Sequence, residues 1–262
     1  MIMRKSLFDK ILTAYLQERP LFYAFLRPQE ALFYQRYLPL KSPSLDFGCG
    51  DGFFARQVLL GGKRKIDVGL DIDKRVKKQA ESSGVYRQVV IYDGEKIPFA
   101  DGYFYSVMAN CVLEHIPYLE ETMAEICRVM KKGGRMYLTV VTDQWPQNLL
   151  GGKIFGRFYR SWFNRIQRHF NLLSEHQWKQ VFAGAGFEVE KSFSYFNARE
   201  QAMLEIFHYL SFYSILLKKL LGRWSLIKNL PFSWLVKIFF KIKPEIADGN
   251  HHSCLFFLLR KR

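Results

Sequence analysis

Between residues 43 and 142, short apolar runs alternate with stretches whose apolar positions recur at helical spacing, which predicts a succession of strands and helices. The runs place strands at 43–47, 65–71, 86–92, 103–110 and 135–142, and the stretches between them place helices at 52–61, 74–83 and 118–130. Upstream, residues 1–40 read as two helices with Pro20 and Pro28 as breaks. Downstream, Asp143 to Asn171 is a long connection holding Trp145-Pro146, Gly151-Gly152 and a basic aromatic run from Lys153 to His169. A structureless connection of that length is uncommon in a compact domain, so a helix is expected within it, lining the substrate side. Ser174-Glu175-His176-Gln177 has the spacing of a capping box, and the helix it opens stops at Gly184-Ala185-Gly186. Phe187 to Tyr195 alternates as a sixth strand, and Ser253 to Leu259 reads as a seventh. Residues 197–250 then form an insertion between the last two strands rather than a tail. No internal repeat or low-complexity segment appears.

The first strand runs into Leu45-Asp46-Phe47-Gly48-Cys49-Gly50-Asp51-Gly52. Glycine at every second position suits a turn that needs positive φ or the close approach of a ligand. The first N–H groups of the helix that follows point back at whatever occupies the turn. An acid two residues before the first glycine is a poor neighbour for phosphate and a good one for an ammonium or a sugar hydroxyl. A dinucleotide turn needs a third glycine where Phe53 stands, which disfavours a nicotinamide-dependent enzyme. A P-loop needs lysine after Gly52, and none is there.

What remains, Asp-x-Gly-x-Gly-x-Gly, resembles the first motif of class I S-adenosylmethionine-dependent methyltransferases. Further motifs follow in order. Ile66 to Asp73 is a second apolar strand ending in acid, Val89 to Gly94 ends a third, and Ile97 to Asn110 is similar to the family's turn and fourth strand. Val112-Leu113-Glu114-His115-Ile116 is similar to the subgroup containing ubiquinone- and menaquinone-pathway enzymes, and Gly133-Gly134 is the turn into strand five. The resemblance covers roughly residues 40 to 196 and the last ten. One position departs: the family commonly has Phe-Asp where Phe104-Tyr105 stands.

The resemblance implies an α/β fold: a Rossmann-like seven-stranded sheet of order 3-2-1-4-5-7-6 with strand seven antiparallel, N-terminal helices and a helical insertion before that strand. It divides the chain into a helical cap at 1–40, a core at 41–196 plus 251–262 with a substrate-side connection at 143–173, and an amphipathic insertion or lid at 197–250. It implies S-adenosyl-L-methionine as cofactor and S-adenosyl-L-homocysteine as product. The cofactor-binding residues would be Asp46, Phe47, Gly48, Cys49 and Gly50 at the amino-acid end, Asp71 and Ile72 at the ribose, Asp93 and Gly94 at the adenine, and Asn110. A carboxylate's two acceptor oxygens suit the vicinal diol of a ribose at Asp71. Other readings stand beside these. Asp71 and Asp73 also read as a solvated strand end, and Asp93 as a turn former before glycine. Glu114-His115 also reads as a structural or helix-capping pair, with His115 the candidate catalytic base. His169, His176, Tyr159 and His208 lie in substrate-side segments, and none has a spacing that marks it.

Composition narrows the partners. The chain has 262 residues, enough for one large α/β domain with elaborations. Cys49, Cys111, Cys127 and Cys254 show no C-x-x-C pairing, which reads as a reducing compartment without a zinc site. Charged sequence rather than an apolar run follows the N-terminus, so the expected location is cytoplasmic or peripheral on the inner face of a membrane. The net charge of +15 is uneven: seven basic residues against three acidic in 1–44, fourteen against fourteen in 45–143, and eighteen against seven in 144–262. The excess therefore belongs to substrate or location. Trp224, Trp234, Phe239 and Phe240 interleave with Lys218, Lys219, Arg223, Lys228, Lys237, Lys241 and Lys243, the composition of a helix in an anionic membrane interface. A lid over the active site reads equally well there. The longest stretch of this segment free of Lys, Arg, Asp and Glu is Ile206 to Leu217, short of the ~20 residues that span a bilayer. A small or lipid-like methyl acceptor fits this pattern better than RNA, whose readers carry aromatics on a sheet or a compact added domain. An RNA methyltransferase and a non-catalytic cofactor-binding protein are the alternatives.

Overall fold

The computed structural model describes residues 2–60, 62, 64–221 and 252–262. The strands are β1 (Ser44–Phe47), β2 (Ile66–Asp71), β3 (Tyr86–Ile91), β4 (Phe104–Asn110), β5 (Met130–Val141), β6 (Phe187–Tyr195) and β7 (Cys254–Lys261). They form one sheet of order β3-β2-β1-β4-β5-β7-β6, and β7 runs antiparallel to both of its neighbours. The chain builds leftward from β1 through β2 to β3, then lands on the other side of β1 with β4. Such a reversal leaves a crevice at the carboxyl ends of the two central strands, because the flanking connections diverge there.

Both faces of the sheet are covered. α1 (Ile2–Glu18), α2 (Tyr23–Gln35), α3 (Phe53–Leu59) and α4 (Lys77–Ser82) contribute to the hydrophobic cluster on one face, and α5 (Leu119–Val129) and α8 (Glu175–Gly184) to that on the other. α5 buries Leu119, Met123 and Ile126, spaced four and three apart on one stripe. Period-two alternation decides which cluster a strand residue joins. In β7, Cys254, Phe256 and Leu258 enter the first cluster, and Leu255, Phe257 and Leu259 the second. β7 is thus an interior strand buried on both sides, and the insertion preceding it leaves and re-enters the sheet.

Several expectations shift. Pro20 does separate α1 from α2, but Pro28 lies inside α2. The ring removes one backbone hydrogen bond, while burial of Phe25, Phe33 and Tyr34 holds the helix together across it. The long connection contains two helices, α6 (Gln144–Asn148) and α7 (Leu150–Gln167), and α7 is bent at Gly156, whose φ is 67° and ψ −148°. β5 begins at Met130 opposite Phe104, and regular pairing resumes at Arg135 opposite Ser106 after the Gly133-Gly134 irregularity. Tyr105, where the resemblance expects an acid, places its ring beneath two ammonium groups, Lys41 at 3.9 Å and Lys131 at 4.5 Å. The insertion begins as α9 (Ala198–Leu221), and the part of it at 222–251 lies outside the described residues.

The expected capping box is present. The Ser174 hydroxyl accepts from the Gln177 backbone N–H, and the Gln177 side chain accepts from the Ser174 N–H at 2.9 Å. Loss of such a cap costs about 1 kcal/mol. Ser174→Ala should lower the melting temperature by roughly 2–4 °C, and Ser174→Gly by less, as differential scanning calorimetry would show.

Candidate active site

Where the crevice between β1 and β4 begins, the Gly48 backbone meets the Val112 side chain. Gly48 has φ +71°, and a Cβ there would lie 2.5 Å from Val112 Cγ2, so only glycine lets the β1 turn meet the β4 turn. Gly50 is the opposite case. Its φ is +53°, yet a Cβ would find nothing within 4 Å, so this glycine faces open space. Asp71 holds the turn from the next strand. Its Oδ2 accepts from the Gly50 N–H at 2.8 Å and its Oδ1 from the Asp73 N–H at 2.9 Å. A carboxylate has about four acceptor positions, so two remain for hydroxyls.

The other candidates are placed as follows. Asp46 is buried, and Tyr86 donates its hydroxyl to Oδ2 at 2.5 Å. Burial pushes its carboxyl up to about 7, against the pull of that hydrogen bond, and the charge of Asp71 adds to the rise. The Tyr86 hydroxyl thus ties this strand-end carboxyl to β3 through one of its two oxygens. The Phe47 side chain packs into the cluster on the far face, 6.3 Å from Tyr92, so only its backbone borders the turn. Cys49 is buried, and burial pushes its thiol well up. Ile72 is 62 % exposed, and its Cγ2 lies 3.6 Å from where a Gly94 Cβ would stand. Ile72 and Gly94 are thus in contact where β2 and β3 end. Asp93 is exposed, and its Oδ1 accepts from the N–H groups of Glu95 (2.9 Å) and Lys96 (3.2 Å), which hold its carboxyl below the usual range. It forms the turn with one oxygen, which leaves the other for a ligand.

Asn110 leads to a network that sequence reasoning missed. Its Nδ2 donates to Glu30 Oε2 at 3.0 Å, and its Oδ1 accepts from Thr139 Oγ1 at 3.0 Å. Glu30, on α2, has no exposed surface. Its carboxylate also accepts from Arg27 (2.6 Å), the Tyr195 hydroxyl (2.8 Å) and the Cys111 thiol (3.3 Å). Cys111 holds a left-handed φ of 50°, secured by hydrogen bonds from its N–H to the Thr139 carbonyl and hydroxyl. A signal existed: Glu30 is the one acid in α2, set among the buried Leu26, Ala31, Phe33 and Tyr34, where an unpaired charge is costly.

Beyond Cys111, a short 3₁₀ turn (Leu113–His115) carries Glu114 and His115. Glu114 is 1 % exposed, and neither carboxyl oxygen has a hydrogen-bond partner. Burial pushes its carboxyl up to about 8, so near neutrality it is largely a neutral acid. His115 places Nδ1 3.1 Å from the Arg168 carbonyl, which assigns the proton to Nδ1. Desolvation of its ring lowers its pKa from the ordinary 6.5, although the residue keeps an exposed side. The His169 ring lies 5.0 Å away, and burial pushes it down to about 3. The other base candidates separate from this group. Tyr159 donates to Glu205 and meets the Tyr209 hydroxyl, His208 packs among Phe22, Phe163 and Tyr209, and His176 is exposed on α8.

α1 and α2 roof the turn. Arg19 pairs with Asp51 and stacks 4.0 Å above the Phe53 ring, and Tyr15 meets the same ring edge-on at 4.9 Å. Beyond β4 and β5 aromatic rings pack in the core: Phe25 stacks on Phe207 at 4.4 Å and Trp145 on Phe196 at 6.3 Å.

Comparison with known proteins agrees with this arrangement. Residues 15–192 match the family described as "Methyltransferase domain". A malonyl-[acyl-carrier protein] O-methyltransferase of Legionella pneumophila is 33% identical over 115 residues, covering 43% of this chain and 40% of that protein. A ubiquinone/menaquinone biosynthesis C-methyltransferase UbiE of Chromobacterium violaceum is 34% identical over 62 residues, covering 24% and 25%. The chain thus spans less than half the length of the curated relatives it matches. Among solved structures, a SAM-dependent methyltransferase of Thermotoga maritima superposes with a TM-score of 0.59 at 17% identity, covering 98% and 99% of the two chains. At that identity the likeness speaks for the fold alone.

The raised carboxyl of Glu114 carries a stability consequence. Its folded value lies above the ordinary 4.5, so folding favours the protonated form. Stability from this group is intact below 4.5 and is lost as pH rises through about 8. Glu114→Gln, which mimics the neutral acid, should flatten the decline in melting temperature between pH 6 and 9 that calorimetry of the parent protein records.

Proposed function

The chain belongs to the methyltransferase family defined by that domain, and from this premise we propose that it transfers the methyl group of S-adenosyl-L-methionine to a small or lipid-like acceptor. S-adenosyl-L-methionine is the family's cofactor, and when bound it supplies an electrophilic methyl group on a sulfonium. One observation carries the reading: open space in front of Gly50, beside a carboxylate that already fixes the turn and retains acceptor capacity. The residues fit the group. The Gly48–Gly52 turn takes the amino-acid end, Asp71 takes the ribose hydroxyls, and Ile72, Gly94 and Asp93 take the adenine ring and its amino group. Asn110 and Glu30 set the wall on the acceptor side.

The chain's own contribution is positioning and water exclusion. The electrophile already carries positive charge, so a nucleophile held in line on the acceptor side gains most of its acceleration from proximity. An O–H or N–H acceptor also needs its proton removed. His115 is our choice for that task, because its pKa is lowered from the ordinary imidazole value and its ring is oriented by the Arg168 carbonyl. Glu114 is a poor base near neutrality because burial keeps it protonated. A lipid-like acceptor is in keeping with the relative named for ubiquinone/menaquinone biosynthesis, and a small carboxylate acceptor with the one named for malonyl-[acyl-carrier protein].

Isothermal titration tests the reading directly. S-adenosyl-L-homocysteine should bind the full chain and NADH should not. Asp71→Ala should weaken binding at least tenfold, equivalent to ~1.4 kcal/mol, with Asp71→Asn retaining part of it. Gly50→Ala should weaken it comparably, by filling the space where the ligand lies, at a stability cost of about 1 kcal/mol. Wild-type affinity in Asp71→Ala would overturn the assignment. With an acceptor in hand, His115→Ala should lower kcat by about 10²–10⁴. It should also erase the acid limb that the parent shows below the ordinary imidazole value, while leaving homocysteine-adduct affinity in place.

A further inference from the structure

α7 turns its hydrophobic side outward. Ile154, Phe155, Phe158, Trp162 and Ile166 are all exposed, Phe158 by 78 %, and Phe170 continues the stripe beyond the helix end. The inward side is fastened. Phe163 is buried, Tyr159 donates to Glu205, and the same carboxylate accepts from the Leu150 and Gly151 N–H groups at 2.5 and 2.9 Å. α7 therefore cannot roll to hide its apolar stripe without breaking those bonds. The neighbouring helix α9 widens the patch with Tyr209 and Leu210, joined to α7 through the Tyr159–Tyr209 hydroxyl contact. Contiguous exposed apolar surface of this kind marks an interaction site.

Charge identifies the partner. Residues 150–170 contain Lys153, Arg157, Arg160, Arg165 and Arg168 and no acid. Among the described residues none of these five forms an ion pair. The Arg157 guanidinium lies 5.7 Å from the Phe158 ring centre, so cation and aromatic share one surface. Residues 222–251 carry five basic residues against two acidic and so have the same sign of charge as α7. A second copy of α7 would bring the same cations face to face. Nucleic acid would satisfy the cations but not Ile154 and Ile166, which offer no ring for a base to stack on. Aliphatic, aromatic and cationic groups on one exposed, anchored helix match the headgroup layer of a bilayer.

We propose that α7, with the adjoining surface of α9, rests on an anionic membrane, with its apolar stripe in the headgroup–acyl boundary and its cations against lipid phosphates. No helix among the described residues is long and apolar enough to cross a membrane, so the association is with one surface. The proposal stands on α7 alone and does not require the methyl-transfer reading. If both hold, the lipid surface lies where α7 meets the acceptor side of the site, through His115 and the Arg168 carbonyl.

Vesicle flotation of the full chain tests it. The protein should float with vesicles of phosphatidylglycerol and phosphatidylcholine in equal parts, stay in solution with phosphatidylcholine alone, and be released by added salt. Phe158→Asp with Trp162→Asp should reduce flotation at least tenfold. Arg157→Gln with Arg165→Gln should reduce it roughly fivefold per cation. Both double variants alter exposed residues, and an unchanged melting temperature and S-adenosyl-L-homocysteine titration would show that they fold. Absence of flotation by the parent, or flotation that the folded variants leave unchanged, would overturn the proposal. So would a parent dimer that the Asp variants dissociate, or tighter binding to an RNA oligomer than to the anionic vesicles. Loss of homocysteine-adduct binding by the parent would instead count against the methyl-transfer reading and leave the surface assignment untouched.

Discussion

A carboxylate with no exposed surface has to be satisfied by the protein around it, and Glu30 imposes that requirement on four parts of this fold. Its donors come from its own helix, from the tip of β4, from the turn after it and from the end of β6. The three donors outside α2 fix its position relative to the sheet, so the helical roof cannot drift from the crevice. Removing one partner of such a buried group leaves a charge without compensation, which costs far more than the net worth of the interaction. The geometry of the acceptor side follows from this closure. Asn110 and Cys111 point as they do because Glu30 and Thr139 hold them.

On the other side of the crevice the same logic runs through backbone. Asp71 takes two N–H groups, one from the glycine turn and one from its own strand end, and so aligns β1 with β2. Gly48 against Val112 sets the separation of the β1 and β4 turns. Both sides of the crevice are therefore braced, one through backbone N–H groups on the Asp71 carboxylate and the other through the Glu30 network.

The distribution of charge now has a structural counterpart. The balanced central unit is the sheet with its crevice, and part of the excess sits on α7, whose cations flank exposed apolar residues. The basic aromatic run was expected to line the substrate side. Its buried residues do pack toward α9, but most of its rings face out. Gly156 bends the helix, and both halves display apolar residues.

Much of the architecture was legible from sequence, because strand periodicity, the glycine turn and the capping box are local properties, each set by residues within a few positions of one another. Asp71 was legible for the same reason, as an acid ending an apolar strand. The Tyr86 partner of Asp46 was not legible, because it stands forty residues away on β3, two strands from β1 in the sheet. Pro28 was misread as a break, because its local cost is outweighed by rings that meet only in the tertiary structure. Glu30, the pairing of His115 with His169, and the outward face of α7 could be decided only there. Each depends on contacts between segments distant in the chain, and burial, which determines whether a charge is paired and whether a stripe is covered, belongs to the assembled molecule rather than to any window of its sequence.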